Sequence, residues 1–388
     1  MKFLICSNYL PHVLNFRGKL LESIAKLGYE VHVLAPDLEA HSEDHKKLLS
    51  SGYFIHSIPM QPTGTNPITD IKTLIVTYRL LREIKPDFIL SYTIKPVIYG
   101  TLAAWLARVP KRYALLPGLG YAFTQVEQVE KHTTFQKLVH GMYKQALSKT
   151  TKVFFQNPDD LNLFKKLNLL KPNAPTVVVN GSGVDIADFN VLSFPRNQLG
   201  DIQPSFLLIA RLLKDKGIIE YVEAAKTVKD QHPSAEFHLV GWIDKNPAAI
   251  SQAQLDKWVA AGVINYWGKL DDVRPAIAAS SIYVLPSYRE GTSRSVLEAM
   301  AMGRPVITTD APGCRETVIE GHNGYLVPVK AVDELVTAME NFIVNPKLIT
   351  TMGKAARKLA EDKYDVHIVN QIMLEEMGLI VEKIKTIV

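Results

Sequence analysis

The sequence predicts two α/β domains, each built on a parallel β-sheet that is covered by helices on both faces. Short apolar runs alternate with amphipathic helical segments along almost the whole chain, which is the pattern of doubly wound sheets. The alternation weakens once, between residues 171 and 204, where prolines and glycines accumulate. A chain of 388 residues is also too long for one compact core. We therefore expect two domains of similar size.

The first series of elements begins at the N-terminus. Its predicted strands are KFLICS (Lys2 to Ser7), EVHVLAP, YFIHSIPM, PDFILSY, KRYALLP and KVFFQN. Its predicted helices are Arg17 to Leu27, Ser42 to Leu49, Ile68 to Ile84 and Pro96 to Ala107. Gly28 stands at the usual position for ending the first of these helices.

The second series repeats the rhythm after residue 204. Its predicted strands are SFLLIARL, EFHLVG, VINYWG, Ile282 to Leu285, PVITTD and GYLVPV. Predicted helices follow at Ile218 to Val228, near Gln252 to Ala260 and after Ser293. Since ligands of open parallel sheets bind at the carboxyl ends of the strands, we expect a site between the carboxyl ends of the two sheets.

Composition limits the classes of protein that the chain can belong to. An apolar content of 47% with 21% charged residues is typical of a globular protein. Cys6 and Cys314 lie far apart in sequence, which favours a reducing compartment over a disulfide scaffold. No signal peptide and no apolar stretch of membrane-spanning length is recognised, so we expect a cytoplasmic protein.

The stretch YVLPSYREGTSRSVLEA, from Tyr283 to Ala299, is the strongest candidate site. A short apolar strand ends at Pro286, and a helix follows whose apolar residues repeat at the spacing of one buried face. The loop and helix start are expected to present backbone N–H groups, hydroxyls and a cation, which suit an anion; the residues are Gly291, Thr292, Ser293, Arg294 and Ser295. Glu290 and Glu298 add two carboxylates. This arrangement favours a nucleotide-sugar ligand. The alternative is that Glu290 is an ordinary loop acid and Glu298 a solvated helix residue.

A second candidate follows the strand SFLLIARL, in the segment ARLLKDKG (Ala210 to Gly217). Arg211 stands where that strand ends, and Lys216 opens the next helix. Both cations can reach one anionic group, arginine as a planar fork and lysine as a point charge. A salt bridge at the strand end and a solvated lysine are the alternative. Together with the first stretch, the pair favours phosphate binding.

These motifs, in this order, resemble family 4 of the retaining glycosyltransferases, which has the GT-B fold of two Rossmann-like domains facing across a cleft. The resemblance covers essentially the whole chain; it rests on ARLLKDKG, YVLPSYREGTSRSVLEAMAMGRPVITTD, GCRETVIEGHNGYLVP, NGSGVDIADF and PGLGYAFT. It implies an acceptor-binding domain over residues 1–185 and a donor-binding domain over residues 186–365. The last helix, residues 366–388, is then expected to cross back onto the first domain.

The resemblance also assigns roles in the donor site. It places Arg211 and Lys216 on the donor diphosphate, Glu298 on the ribose and Glu290 on the donor sugar. Residues 291–295 are placed near the distal phosphate or the sugar, and Gly18 on a loop that closes over the diphosphate. Glu290, Arg211 and Lys216 are the implied catalytic residues. Since the two cations replace a divalent metal in this reading, we expect a UDP-sugar as co-substrate and no metal or other cofactor.

Within the family, the front half of the chain is most similar to enzymes that extend polyprenyl-diphosphate-linked saccharides, including N-acetylgalactosaminyltransferases. Many relatives carry a histidine where this chain has SYTIKP, and another where it has Pro117. Lys95 and His12 are therefore the candidate acceptor contacts. The alternatives are a lysine at a helix start that extends into solvent and a polar loop residue.

Charge and acceptor class together predict contact with an anionic membrane. Residues 1–190 carry 22 Lys and Arg against 15 Asp and Glu, whereas the rest carries 22 against 24. Cations are interleaved with aromatic and aliphatic residues around Tyr78 to Lys85, Trp105 to Arg112 and Lys131 to Lys152, as on an interfacial surface, although core helices give a similar pattern. We expect a peripheral protein on the inner face of the cytoplasmic membrane. No nucleic-acid-binding motif is recognised.

Three other activities stay open at this stage. A nucleotide-sugar 2-epimerase can share the fold and the donor contacts, but it needs proton-transfer groups that the sequence does not place. A non-catalytic nucleotide-sugar sensor would keep the diphosphate site. A glycosyltransferase with a soluble acceptor is the nearest alternative, and the products formed distinguish all of them.

Overall fold

The computed structural model describes residues 1–39, 42–61, 66–119, 134–244 and 246–380. The chain divides into two compact units, of which the first is Met1–Ser182 with His367–Val388 and the second is Gly183–Val366. Each unit contains one parallel sheet, as the sequence predicts. The change of unit at Ser182 falls close to the expected boundary at residue 185.

The first unit is built on seven parallel strands in the order β3-β2-β1-β4-β5-β6-β7. The strands are β1 Lys2–Ser7, β2 Glu30–Ala35, β3 Phe54–Ser57, β4 Phe88–Tyr92, β5 Lys111–Leu116, β6 Lys152–Phe155 and β7 Thr176–Val178. Strand β7 lies inside the stretch that the sequence suggests is a linker. Its three residues are only partly buried, so its apolar signal is weak.

Helices cover both faces of this sheet. They are α1 Leu10–Lys26, α2 Ser42–Ser50, α3 Pro67–Ile84, α4 Thr101–Leu106, α5 Thr134–Leu147 and α6 Pro158–Lys166, with a π-helical turn at Pro96–Gly100 ahead of α4. The predicted start of the first helix at Arg17 is wrong, because α1 begins at Leu10. Pro11 occupies its first turn, where a missing N–H and a fixed φ are tolerated.

The chain returns to the first unit through its last described helix, α13 Val366–Glu376. Met373, Leu374 and Met377 pack into the same core as β1, β2 and β4. The Tyr113 hydroxyl donates to the carbonyl of Met377 at 2.5 Å, which fixes the end of this segment against β5. Residues 381–388 of the predicted crossover helix lie outside the described residues.

The second unit has six parallel strands in the order β10-β9-β8-β11-β12-β13. They are β8 Ser205–Ile209, β9 Glu236–Val240, β10 Asn265–Tyr266, β11 Ile282–Leu285, β12 Val306–Thr309 and β13 Gly324–Val327. The helices are α7 Ile218–Gln231, α8 Gln252–Ala260, α9 Arg274–Ala278, α10 Arg294–Ala301, α11 Val332–Val344 and α12 Lys347–Leu359. A single apolar core fills the space between sheet and helices.

Among the described helices, none is both long enough and apolar enough to cross a lipid bilayer.

Candidate functional site

The order of strands in the second unit creates a crevice at the carboxyl ends of β8 and β11. The chain leaves β8 towards β9 on one side, whereas β11 is followed by β12 on the other. Ligands of open α/β sheets bind where the strand order reverses in this way. Arg211 follows β8, and the loop 286–293 follows β11, so both predicted motifs lie at this crevice.

The two motifs are hydrogen-bonded to each other through their backbones. The carbonyl of Asp215 accepts from the amide of Tyr288 at 2.9 Å and from the Ser287 hydroxyl at 3.2 Å. Gly217 has a φ of +70°, and a Cβ built there would lie 2.1 Å from the carbonyl oxygen of Pro286. Only glycine allows this approach, so the segment ARLLKDKG and the loop 286–293 pack directly against each other.

The N-terminus of α10 is fixed against the end of β8. The Tyr283 hydroxyl donates to Ser295 Oγ at 2.6 Å, and Ser295 Oγ donates to the carbonyl of Ile209 at 3.2 Å. Ser293, the N-cap residue, places its Oγ 3.1 Å from Ser295 Oγ. Burial raises the pKa of the Tyr283 hydroxyl, so it stays a hydrogen-bond donor. These bonds fix the start of α10 to the carbonyl of Ile209, which lies two residues before Arg211 in the sequence.

Each of the three predicted cations is paired with an acid. Lys216 Nζ lies 2.5 Å from Glu290 Oε1, and both side chains are about one-sixth exposed, at 15% and 16%. Arg211 Nη1 lies 3.1 Å from Asp244 Oδ2. The solvated-lysine alternative for Lys216 is thus wrong, whereas Arg211 does form a salt bridge at the strand end. That bridge does not bury Arg211, whose side chain is 49% exposed.

Glu298 is not a solvated helix residue, because it is buried on the first turns of α10. Its Oε1 accepts from Arg294 Nε at 2.8 Å, one helical turn away. Burial raises the pKa of the Glu298 carboxyl, and the nearby Arg294 guanidinium opposes that shift. A buried carboxylate is suited to accept hydrogen bonds from sugar hydroxyls.

A third loop, after β12, supports Glu290. The amide of Glu290 donates to the carbonyl of Pro312 at 2.9 Å. Gly313 has a φ of +77°, and a Cβ there would lie 2.0 Å from the carbonyl oxygen of Glu290. Sequence reasoning did not assign a role to Gly313. A glycine directly after Pro312 is a turn signal that marks such a close approach.

The remaining predicted residues of this loop are half-buried at the crevice. The Thr292 hydroxyl donates to the carbonyl of Gly291 at 2.9 Å. Sequence reasoning missed Asp244, which lies in the loop after β9. It also missed Tyr288, whose hydroxyl donates to Glu220 Oε1 at 2.5 Å and holds the loop 286–293, called the anchor loop below, against α7.

In the first unit, Gly18 and His12 are not in a loop. Both lie within α1, because the helix starts seven residues earlier than predicted. A Cβ at Gly18 would meet only Leu14 Cδ1, at 4.0 Å, so the backbone there does not require glycine. The His12 ring contacts the rings of Tyr9 and Phe16, with centroid distances of 4.8 Å and 5.4 Å. A loop that closes through Gly18 is therefore not supported.

Lys95 does not extend into solvent. Its Nζ lies 2.7 Å from Asp70 Oδ1, and the two side chains are 12% and 10% exposed. Asp70 Oδ2 also accepts from the Tyr99 hydroxyl at 2.9 Å. Lys95 thus joins α3 to the turn that precedes α4. The described part of PGLGYAFT ends at Leu119, and its other residues lie outside the described ranges.

Groups of three or more His, Cys, Asp or Glu side chains that could hold a metal ion do not occur within the described ranges.

Two parallel-sheet domains, the second with cations, carboxylates and a helix N-terminus at its switch point, define a protein of the GT-B fold. Sucrose-phosphate synthase from Thermosynechococcus elongatus superimposes with a TM-score of 0.77 at 17% identity over 98% of both chains. HepE from Anabaena, in complex with UDP, superimposes with a TM-score of 0.75 at 19% identity, over 98% of this chain and all of HepE.

Family models give the particular family. Residues 203–345 match the model for "Glycosyl transferases group 1", and residues 5–157 match the model for "Glycosyl transferase 4-like". The chain belongs to this glycosyltransferase family and is an enzyme.

Relatives of nearly the same length are glycosyltransferases by name. An N,N'-diacetylbacillosaminyl-diphospho-undecaprenol alpha-1,3-N-acetylgalactosaminyltransferase of Campylobacter jejuni is 28% identical over 96% of this chain and 97% of its own. The capsular polysaccharide biosynthesis glycosyltransferase CapM of Staphylococcus aureus is 26% identical over 93% of this chain and 91% of its own. An Escherichia coli UDP-Gal:alpha-D-GlcNAc-diphosphoundecaprenol alpha-1,3-galactosyltransferase is 26% identical over 80% of this chain and 79% of its own.

Proposed function

We propose that this enzyme transfers a sugar from a UDP-sugar to a polyprenyl-diphosphate-linked saccharide, with retention of anomeric configuration, in bacterial surface polysaccharide or glycan assembly. N-acetylgalactosamine is the favoured sugar. One observation carries the proposal: Arg211, Lys216 and the start of α10 meet at the switch point of the second sheet, with Glu290 and Glu298 beside them.

The charges at this crevice match the parts of a UDP-sugar. The Arg211 guanidinium, the Lys216 ammonium and the backbone N–H groups at the start of α10 suit a diphosphate. The buried Glu298 carboxylate suits the ribose hydroxyls, and Glu290, fixed beside Lys216, suits the sugar ring. HepE, which shares the fold, forms a complex with UDP.

The proposed reaction needs no protein nucleophile. The acceptor hydroxyl oxygen attacks C1 of the donor sugar from the face that the phosphate leaves, while the bond from C1 to the phosphate oxygen breaks. The departing phosphate oxygen takes the hydroxyl proton. Arg211 and Lys216 stabilise the negative charge that grows on the diphosphate, which is the role that a divalent metal has in other transferases.

The acceptor class is proposed from the relatives. The Campylobacter jejuni and Escherichia coli enzymes are named for acceptors in which a sugar is linked through diphosphate to undecaprenol. The first of them is named as an N-acetylgalactosaminyltransferase and the second as a galactosyltransferase. An axial 4-hydroxyl group is common to both sugars, which supports the choice of the galacto series for this chain.

A donor panel tests the proposal. Purified protein, EDTA and a polyprenyl-diphosphate-linked sugar are incubated separately with UDP-GalNAc, UDP-GlcNAc, UDP-Glc, UDP-Gal and GDP-Man. Released nucleotide and extended lipid are both measured, and the new anomeric centre is assigned by NMR. We expect extension by UDP-GalNAc with an α-linkage, and extension slower by about 10²- to 10³-fold with the Glu290→Gln variant.

Other products would identify the alternatives. A changed sugar without transfer would indicate an epimerase, and transfer only to a free saccharide would indicate a soluble acceptor. An inverted linkage, or complete loss of transfer in EDTA, would contradict the retaining, metal-independent mechanism.

We further propose that the first unit attaches the enzyme to the inner face of the cytoplasmic membrane through the outer face of α3. Ile68, Ile71 and Ile75 are exposed on that face at 78%, 57% and 44%, spaced as one stripe. Lys72, Arg79 and Arg82 are exposed on the same face, with one acid, Glu83. An apolar stripe flanked by cations suits an anionic bilayer surface.

The predicted interfacial residues are corrected in part. Leu81 is buried in the core, with Tyr78 and Leu80 packed against the same cluster, because α3 turns that side towards α4. Arg112 donates to backbone carbonyls of its own unit, including that of Lys149 at 2.7 Å. Trp105 is exposed at 44%, with Lys149 Nζ 4.4 Å from its ring centroid, and stays a candidate.

A further inference from the structure

One contact at the crevice is not explained by the binding of a donor. Asp244, in the loop after β9, places Oδ2 3.1 Å from Nη1 of Arg211. Arg211 is the most exposed of the three cations at this site, and its charge is already neutralised by this carboxylate. A diphosphate that binds Arg211 must therefore compete with an acid of the protein.

The position of Asp244 is fixed by its own loop. Its other oxygen, Oδ1, accepts from the amide of Asn246 at 2.9 Å, and Asn246 Oδ1 in turn accepts from the amide of Ala248 at 2.9 Å. These two successive turns of the kind that Asn and Asp favour hold the carboxylate in place.

The same loop is bonded along the segment that carries Arg211. The amide of Leu212 donates to the carbonyl of Trp242 at 3.0 Å, and the amide of Ile250 donates to the carbonyl of Leu212 at 2.8 Å. The amide of Lys214 donates to the carbonyl of Ala248 at 3.1 Å. Asp244 and Arg211 thus stand on two backbone segments that cannot easily separate, so the acid stays near the cation.

We infer that Asp244 competes with the donor diphosphate for Arg211 and so weakens the binding of UDP and UDP-sugar, which speeds release of the UDP product. The inference rests on the proposed function. Asp244 acts through Arg211 and is not a catalytic residue. An ion pair of this exposure is weak, so its removal should tighten UDP binding by about two- to fivefold.

Asp244 differs in this from Glu290, which also pairs with a cation. Glu290 lies on the anchor loop, where the donor sugar is proposed to bind, so its pairing with Lys216 can be exchanged for contacts with the substrate. Asp244 instead lies in the loop after β9, where the Asn246 amide holds one of its two oxygens while the other pairs with Arg211.

The test is a double-mutant cycle on UDP affinity. Dissociation constants for UDP are measured by equilibrium dialysis with radiolabelled UDP for the wild type, Asp244→Asn, Arg211→Gln and the double variant. Asparagine keeps an oxygen for the Asn246 amide, so the turn is retained; Asp244→Ser is the second variant if Asp244→Asn does not fold. Asp362→Asn is the matched control, because it removes an exposed acid that pairs with Lys358 on the last helices of the second unit.

We expect Asp244→Asn to lower the dissociation constant for UDP and the inhibition constant of UDP by about two- to fivefold. The change should vanish in the Arg211→Gln background and be absent in Asp362→Asn. Equal tightening in the Arg211→Gln background would show a general charge effect and overturn the inference, as would unchanged or weaker binding by Asp244→Asn. A wild type that binds no UDP would instead overturn the proposed function, and the inference with it.

Discussion

Lys216 Nζ and Glu290 Oε1 are 2.5 Å apart, although 74 residues separate them in the sequence. The pair joins the loop after β8 to the loop after β11, and both side chains are largely shielded from water. The cation assigned to the diphosphate and the carboxylate assigned to the sugar therefore hold each other in place before any donor binds. Such a pair orients both groups at little cost when the substrate arrives.

Replacing Lys216 by methionine should lower kcat/KM by about 10²- to 10³-fold, because it removes a cation that stabilises the leaving diphosphate. Glu290→Gln should cause a comparable loss. Since the two residues are in contact, the double variant should lose less than the product of the two single losses. Turnover with the active donor of the panel is the measurement.

Lys214→Met is the control for that series, because Lys214 is exposed two residues away and its side chain forms no hydrogen bond or ion pair with the residues described. It should retain wild-type turnover. Near-normal activity of a variant that lacks both Arg211 and Lys216 would remove the diphosphate assignment altogether.

Gly217→Ala should be more destabilising than an alanine placed at an ordinary left-handed glycine. Its Cβ would lie 2.1 Å from the Pro286 carbonyl oxygen, so the two loops of the donor site must separate. Gly262→Ala is the matched control: its φ of +66° is nearly the same, and nothing lies within 4 Å of the new Cβ.

Both changes carry the cost of a non-glycine residue at positive φ, about 1 kcal/mol, and we expect Gly217→Ala to add about 2 kcal/mol or more. Urea unfolding and UDP affinity measure the two effects. Equal losses of unfolding free energy in the two variants would contradict the close approach of the loops.

Glu298→Gln should stabilise the protein at neutral pH while weakening UDP binding. Burial raises the pKa of the Glu298 carboxyl, so the native state binds this proton more tightly than the unfolded chain does. The free energy of unfolding then falls as pH rises from the ordinary pKa of glutamate, about 4.3, through the raised pKa of Glu298. Glutamine does not titrate, so the Glu298→Gln variant does not lose unfolding free energy in this way.

The melting temperature of Glu298→Gln should therefore exceed that of the wild type at pH 7, and the difference should shrink towards pH 4. UDP affinity should fall by about tenfold or more, because a charged hydrogen-bond acceptor is lost. Glu223→Gln, on the exposed side of α7, is the control and should change neither quantity. A lower melting temperature at pH 7 would show that the pairing with Arg294 outweighs the cost of burial.

Replacing Ile68, Ile71 and Ile75 by serine should abolish most binding to anionic vesicles without loss of donor binding. Each isoleucine can bury apolar area in a bilayer only if the outer face of α3 meets it. Flotation with phosphatidylglycerol and with phosphatidylcholine vesicles measures the effect. Leu199→Ser with Val344→Ser is the control, because both residues are strongly exposed, at 87% and 77%, but belong to the second unit. Flotation of the triple variant equal to that of the wild type would contradict the proposal that the outer face of α3 binds the membrane.

Much of the donor site could be predicted from the sequence. The strand, loop and helix from Tyr283 to Ala299, and the segment after β8, are local patterns in which periodicity and turn residues decide the structure. The start of α1 could not be found in this way, because Pro11 reads as a loop residue although the first helical turn accepts it. For that reason Gly18 and His12 were expected in a loop, whereas both lie in α1.

By itself the sequence determined the class of fold, the two parallel sheets and the residue types at the carboxyl ends of β8 and β11, since each depends on neighbours a few positions apart. Only the tertiary structure decided the pairing of each cation. Asp244 faces Arg211 and Glu290 faces Lys216 because strand order brings distant loops to one edge. Lys95 likewise pairs with Asp70 on another helical segment and does not extend into solvent. Burial and charge partners depend on these long-range contacts, which no local pattern of residues encodes.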